Sequence, residues 1–166
     1  SEIVINPALN AKLAYDPVRD FAPVALLASI PLVLATHPSM PVRTVKEFVA
    51  LARARPKAIS YASSGAGTAT HLGAELLRSV AGIDIVHVPY KGGAPAASDV
   101  MAGHVPMMFE LGYAAMPSVK AGKIRALAVT SSVRMALLPD VPTMAEAGLP
   151  GYESYNWQGV VAPAGA

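Results

Sequence analysis

Tyr61-Ala62-Ser63-Ser64-Gly65-Ala66-Gly67-Thr68-Ala69-Thr70-His71 is the stretch that decides the fold. A short apolar run, Ala58-Ile59-Ser60-Tyr61, leads into it, and apolar residues at helical spacing (Leu72, Leu76, Leu77, Val80) follow. The order is strand, small-residue loop, helix. Glycines let a ligand approach the backbone, and the unpaired N–H groups of a helix start attract an anion. The loop therefore has the chemistry to hold a carboxylate or phosphate.

Strand and helix signals alternate outward from this point. Thr44-Val45-Lys46-Glu47 is a capping box opening a helix that Pro56 stops. Extended segments are expected at 21–29 and 31–37, broken at Ile30-Pro31, and strands at 58–62, 84–89, 105–109, 124–130 and 157–162. Helices are expected near 8–13, over 69–81 with Gly82 past the end, after Ala94-Pro95, and at 117–121. A second capping box, Thr143 with Glu146, predicts a short helix ending near Gly148. This alternation is the signature of βαβ units: an α/β fold, one domain over 1–166, with a mainly parallel sheet flanked by helices. Ligands of such sheets sit beyond the carboxyl ends of the strands. Residues 63–70, the loop Tyr90-Lys91-Gly92-Gly93 and Glu110, expected just after the strand at 105–109, all fall on that edge. Thr70 and His71 belong to the first helical turn beside the loop.

Composition narrows the classes. The chain has 166 residues, of which 53% are apolar and 14% charged, with formal charge +2 and no cysteine. One core is feasible at this size. No basic run marks a nucleic-acid partner, and thiolate chemistry is excluded. No apolar stretch reaches the length of a membrane span, and Ser1-Glu2-Ile3 does not open a signal peptide. The histidines His37, His71, His87 and His104 have no metal-site spacing, so no metal or other cofactor is expected. A nucleotide-binding enzyme is the rival reading, because Gly65-Ala66-Gly67 imitates a dinucleotide fingerprint. Against it, Thr70 stands at the third glycine position and Asp84 lies at the start of its strand. Ser63 or Ser64 beside His71 suggests a Ser–His pair, but no third member is evident, and no catalytic residue is assigned.

The pattern Y-A-S-S-G-x-G-T-x-x-H at Tyr61–His71 resembles the Bug family of extracytoplasmic solute receptors, the binding proteins of tripartite tricarboxylate transporters. Further matching pieces follow in order: Tyr15-Asp16-Pro17, Asp20-Phe21-Ala22-Pro23-Val24-Ala25, His87-Val88-Pro89-Tyr90-Lys91-Gly92, Ala121-Gly122-Lys123-Ile124-Arg125-Ala126-Leu127-Ala128-Val129-Thr130, and Leu138-Pro139-Asp140-Val141-Pro142-Thr143. The resemblance implies one lobe of a type II-like periplasmic-binding-protein fold, closing with a second lobe around a small organic anion. The ligand classes implied are dicarboxylates, tricarboxylates and acidic amino acids, with a membrane permease as partner and a periplasmic location. It implies Ser63, Ser64, Gly65, Gly67, Thr68, Lys91 and Gly92 as ligand contacts; His71, Tyr90, Thr70 and Glu110 join them from the reading of the residues. The family carries Asp, often Asp-Asn, where this chain has Glu110-Leu111-Gly112. The chain resembles the second lobe with its connecting segments, so the other lobe is largely absent from it. Surface left uncovered by that lobe invites self-association into a homo-oligomer.

Overall fold

The computed structural model describes residues 2–9 and 12–165. In chain order the elements are α1 (Glu2–Leu9), β1 (Phe21–Thr36), α2 (Val45–Ala54), β2 (Ser60–Ser63), α3 (Ala69–Ala81), β3 (Val86–Pro89), α4 (Gly93–Met101), β4 (Met107–Leu111), α5 (Gly112–Lys120), β5 (Arg125–Val129) and β6 (Tyr155–Pro163). The core sheet runs β3-β2-β4-β1-β5. β2 lies parallel to β3 and β4, while β1 runs antiparallel to both β4 and β5. Four strands thus point one way and β1 is inserted against them, which makes the sheet mixed.

β1 is one strand of 16 residues, and the expected break at Ile30-Pro31 is absent. A proline bars its predecessor from the helical region but leaves extension open. What changes at Pro31 is the partner. Phe21 to Pro31 pair with β6 as a two-stranded ribbon, and Leu32 to Thr36 pair with β4 and β5 in the core. Pro23 is tolerated beside a register shift of the ribbon. Burial switches at the same place: Leu26 and Leu27 are 68% exposed, whereas Leu32, Val33 and Leu34 are fully buried.

Alternation along the core strands serves two hydrophobic layers. Leu32, Leu34, Met107, Phe109 and Tyr61 face α2 and α3 through Phe48, Ala74 and Leu77. Val33, Ala35, Met108 and Ala62 face α4 and α5 through Ala96, Val100 and Ala115. A sheet covered on both faces accounts for the nearly unbroken apolar run of β1.

Local signals predict most of the helices. Thr44 and Glu47 form the reciprocal capping box of α2, and Gly82 ends α3 in the left-handed region at φ 59°. Three expectations are corrected. The first helix lies at Glu2–Leu9 rather than near 8–13, where residues 10 and 11 are outside the described set. α5 begins at Gly112, because the chain turns into it directly from β4 with Leu111 as an extended N-cap that carries no polar signal. The second capping box forms, with Thr143 and Glu146 exchanging bonds of 3.1 and 2.8 Å, but only a turn results. Thr143 is held to Val129 as a bridge, and Gly148 leaves helical geometry at φ 102°. No helix among the described residues is long and apolar enough to cross a membrane.

Candidate functional site

β2 delivers Ser63, fully buried, to the lip of the sheet. The two glycine-bearing loops are tied together there. Tyr90 N–H donates to the Ser63 carbonyl at 3.0 Å and Gly92 N–H to the Ser64 carbonyl at 3.2 Å. Gly65 makes the tight turn at φ 133°, where a side chain would stand 3.3 Å from the Tyr90 carbonyl oxygen.

Most amides of the first loop are already paired inside it, contrary to the expectation that they stand free for a ligand. Ser64 N–H donates to Thr70 Oγ1 (3.0 Å), Gly65 N–H to Ser63 Oγ (3.1 Å), and Gly67 N–H to His71 Nδ1 (3.2 Å). Thr68 N–H donates to the Gly65 carbonyl at 3.3 Å. Thr68 also turns its hydroxyl onto that carbonyl at 2.7 Å and gives α3 no side-chain cap. Gly92 gives none to α4 either. Further donors are the first-turn N–H groups of α3 and, since Pro95 has none, those of Gly93 and Ala94 in α4. Both starts border one cavity of about 170 Å³, lined by Ser64, Thr68, Ala69, Thr70, Gly93, Glu110, Leu111 and Asn156.

The three stretches singled out in the sequence therefore meet, but not through every residue named. Ser64, Thr68, Thr70 and Glu110 line the cavity. Gly65 and Gly67 shape the turn behind it, and Gly92 precedes α4 at φ 117°. Tyr90 donates to Asp99 Oδ2 at 2.6 Å, and Lys91 is exposed; neither borders the cavity. Glu110 lies inside β4 rather than after it, and its residue is only 6% exposed. Burial pushes its carboxyl above the ordinary range, opposed by the Leu111 N–H that donates to Oε1 at 2.8 Å. Gly93, the last residue of the second loop read on this edge, opens α4 and lines the cavity, whereas Asn156 escaped the sequence reading. Asn156 arrives from β6, far along the chain, on a strand whose alternation reveals nothing of what it faces.

His71 and His87 sit under the loop as a stack. Ring centroids are 4.2 Å apart between His71 and His87 and 4.9 Å between His87 and Tyr61. Ser63 Oγ lies 2.6 Å from His87 Nε2, so the serine's histidine partner is His87, not His71. Ser63 is wholly buried, so its oxygen is closed to solvent. His71 Nδ1 accepts from Gly67, which leaves its proton on Nε2, 3.9 Å from Glu75 Oε1. Tyr61 O–H donates to Glu75 Oε1 at 2.6 Å, and Arg78 pairs with the same carboxylate at 2.8 Å. Burial raises the cost of charge on Glu75, but Tyr61 and Arg78 outweigh it and hold the carboxyl below its ordinary range. No group of three or more metal-ligating side chains occurs among the described residues.

This arrangement gives a signed pH response. Burial, then the neighbouring His71, depress His87 below the ordinary 6.5. The unfolded chain binds that proton first, so stability falls as pH drops below about 6.5 toward the depressed value. Glu110 acts oppositely: its carboxyl is raised above 4.5, so stability falls as pH rises through its folded value. Thermal melts at pH 7 and pH 5 are expected to show a smaller loss on acidification in His87→Gln than in the parent chain. The same loss in both would remove His87 as the cause.

The whole chain, residues 1–166, matches the tripartite tricarboxylate transporter family receptor. The chain belongs to that family. The UPF0065 protein in tcbD-tcbE intergenic region of Pseudomonas sp. (strain P51) is 42% identical over 164 residues, covering 98% of this chain and 49% of that protein. Among solved structures, R. palustris Rpa4515 with adipate superposes with TM-score 0.84 at 42% identity, over 93% of this chain and 52% of that one. MatC from Rhodopseudomonas palustris with bound malate gives TM-score 0.85 at 35% identity, over 95% and 54%. The chain thus spans about half the length of the family members it matches.

Proposed function

We propose that this chain carries the loop-bearing half of an extracytoplasmic receptor that captures a small organic carboxylate for uptake through a membrane permease. It binds without chemistry. The observation that carries the reading is the convergence of two uncapped helix starts, α3 and α4, on one cavity rimmed by the hydroxyls of Ser64, Thr68 and Thr70. A carboxylate there meets backbone N–H donors worth about 1.5–3 kcal/mol each and two favourable helix ends. The cavity, about 170 Å³, suits a carboxylate head and a few carbons and is small for a dinucleotide. The adipate and malate held by the two solved relatives point to the same ligand class. A periplasmic location follows from the role.

A thermal-shift panel of four- to six-carbon dicarboxylates against NAD and ATP tests the proposal. The carboxylates are expected to raise the melting temperature and the nucleotides to leave it unchanged. Stabilisation by nucleotides alone would replace the receptor reading by the enzyme one.

A further inference from the structure

Two imidazoles lie beneath the first glycine-bearing loop, and one of them holds it. Gly67 N–H donates to His71 Nδ1 at 3.2 Å. That bond exists only while Nδ1 keeps its lone pair. A second proton on the ring turns the acceptor into a donor, and two N–H groups then face each other. Gly67 stands in the left-handed region at φ 79°. The residue after it, Thr68, is both the N-cap of α3 and a wall of the cavity. Whatever frees the Gly67 amide is therefore one residue away from the cavity lining.

The groups that face His71 come from α3, β2 and β3. On α3, Glu75 Oε1 stands 3.9 Å from His71 Nε2 and is paired with Arg78, whose other side meets Asp84 at 3.4 Å. Burial alone would raise Glu75, but Tyr61 and Arg78 hold it below its ordinary range, so it stays ionised in mild acid. From β2, the Tyr61 ring lies 6.5 Å away; burial, then Glu75, push its hydroxyl above the ordinary range, so it keeps its proton. From β3, His87 stacks at 4.2 Å, and burial, then His71, hold it below 6.5. A charge on one ring of such a stack opposes a second on the other. Glu75 lies on the His71 side and offsets the charge there. Resting on the carboxylate-receptor reading above for its effect on the ligand, we propose that His71 takes the proton this stack accepts as the medium acidifies, releasing the Gly67 amide and loosening the hold on the ligand. Proton uptake at His71 and ligand capture then oppose each other, each weakening the other by the same factor.

Hydrogen exchange of the Gly67 amide tests the inference without any ligand. Followed by NMR in the full chain and corrected for the intrinsic rate at each pH, its protection is expected to fall about three- to tenfold between pH 7.5 and pH 5.5, the worth of one hydrogen bond. His71→Asn puts an amide oxygen near the place of Nδ1; it accepts from Gly67 and takes no proton, so protection should stay level there. Calorimetry with succinate at the same two pH values should show the wild-type affinity falling about three- to tenfold further than that of His71→Asn. Titration of the ligand and of Glu110 is common to both chains and cancels. Should His71→Asn fail to fold, the wild-type exchange measurement decides. Level Gly67 protection in the wild-type chain, or equal affinity losses in the two chains, would overturn the inference and leave the carboxylate reading standing. Succinate binding at neither pH would count against that reading, while exchange at Gly67 still decides the fate of the His71 contact.

Discussion

A Thr130→Val chain is expected to lose about 2–6 kcal/mol of folding stability with little change in side-chain volume. Thr130 is fully buried at the junction where β1 leaves the core sheet. Its Oγ1 accepts from Leu32 N–H at 2.8 Å and donates to the Ser154 carbonyl. Its backbone N–H donates to the Leu32 carbonyl and its own carbonyl accepts from Ser154 N–H. Valine fills the same space and offers neither hydrogen-bonding group. The Leu32 amide and the Ser154 carbonyl would then lose their partner in the interior, at about 1–3 kcal/mol each. Against a typical total of about 5–15 kcal/mol this is a large fraction. Urea unfolding measures it; a loss under about 0.5 kcal/mol would mean that the two backbone groups find other partners.

Phe109→Ala is the second large effect, at about 3–5 kcal/mol. The ring is fully buried on β4, opposite Leu34 of β1, and lies parallel to Tyr152 with centroids 6.4 Å apart. α3 packs close to it because residue 73 is glycine: a Cβ there would stand 3.5 Å from the Phe109 ring and 3.1 Å from Leu32 Cδ1. Removing the ring leaves a void under α3 that the sheet cannot collapse to fill. The next residue, Glu110, points to the opposite face, toward α4. A loss of stability is therefore expected together with weaker ligand binding, since the strand that carries Glu110 loses its anchor. Phe109→Leu should cost clearly less by the same unfolding measurement.

What the sequence disclosed follows the range of the forces that set each feature. The loop after Ser63, the box at Thr44 and the glycine ending α3 are local events, governed by residues a few positions apart, and their spacing shows them. The meeting of residues 63–70, 90–93 and 110 could be read because parallel strands deliver their carboxyl ends to one edge. The continuity of β1 could not, since a proline signals a break equally well whether the strand stops or merely changes neighbours. The Ser63–His87 pair and the placement of Asn156 depend on which strands lie side by side, and a single chain's periodicity holds no record of that order. The turn at Thr143 shows the limit of a local motif: its two hydrogen bonds form as expected, while the bridge to Val129 decides what comes after them.

The partner exchange of β1 at Pro31 has a mechanical side. Ile30 is registered with Asn156, which lines the cavity, and three residues later Val33 is registered with Glu110, which lines it too. The outlying ribbon and the cavity wall are therefore parts of one continuous strand, held at its inner end by the buried sheet.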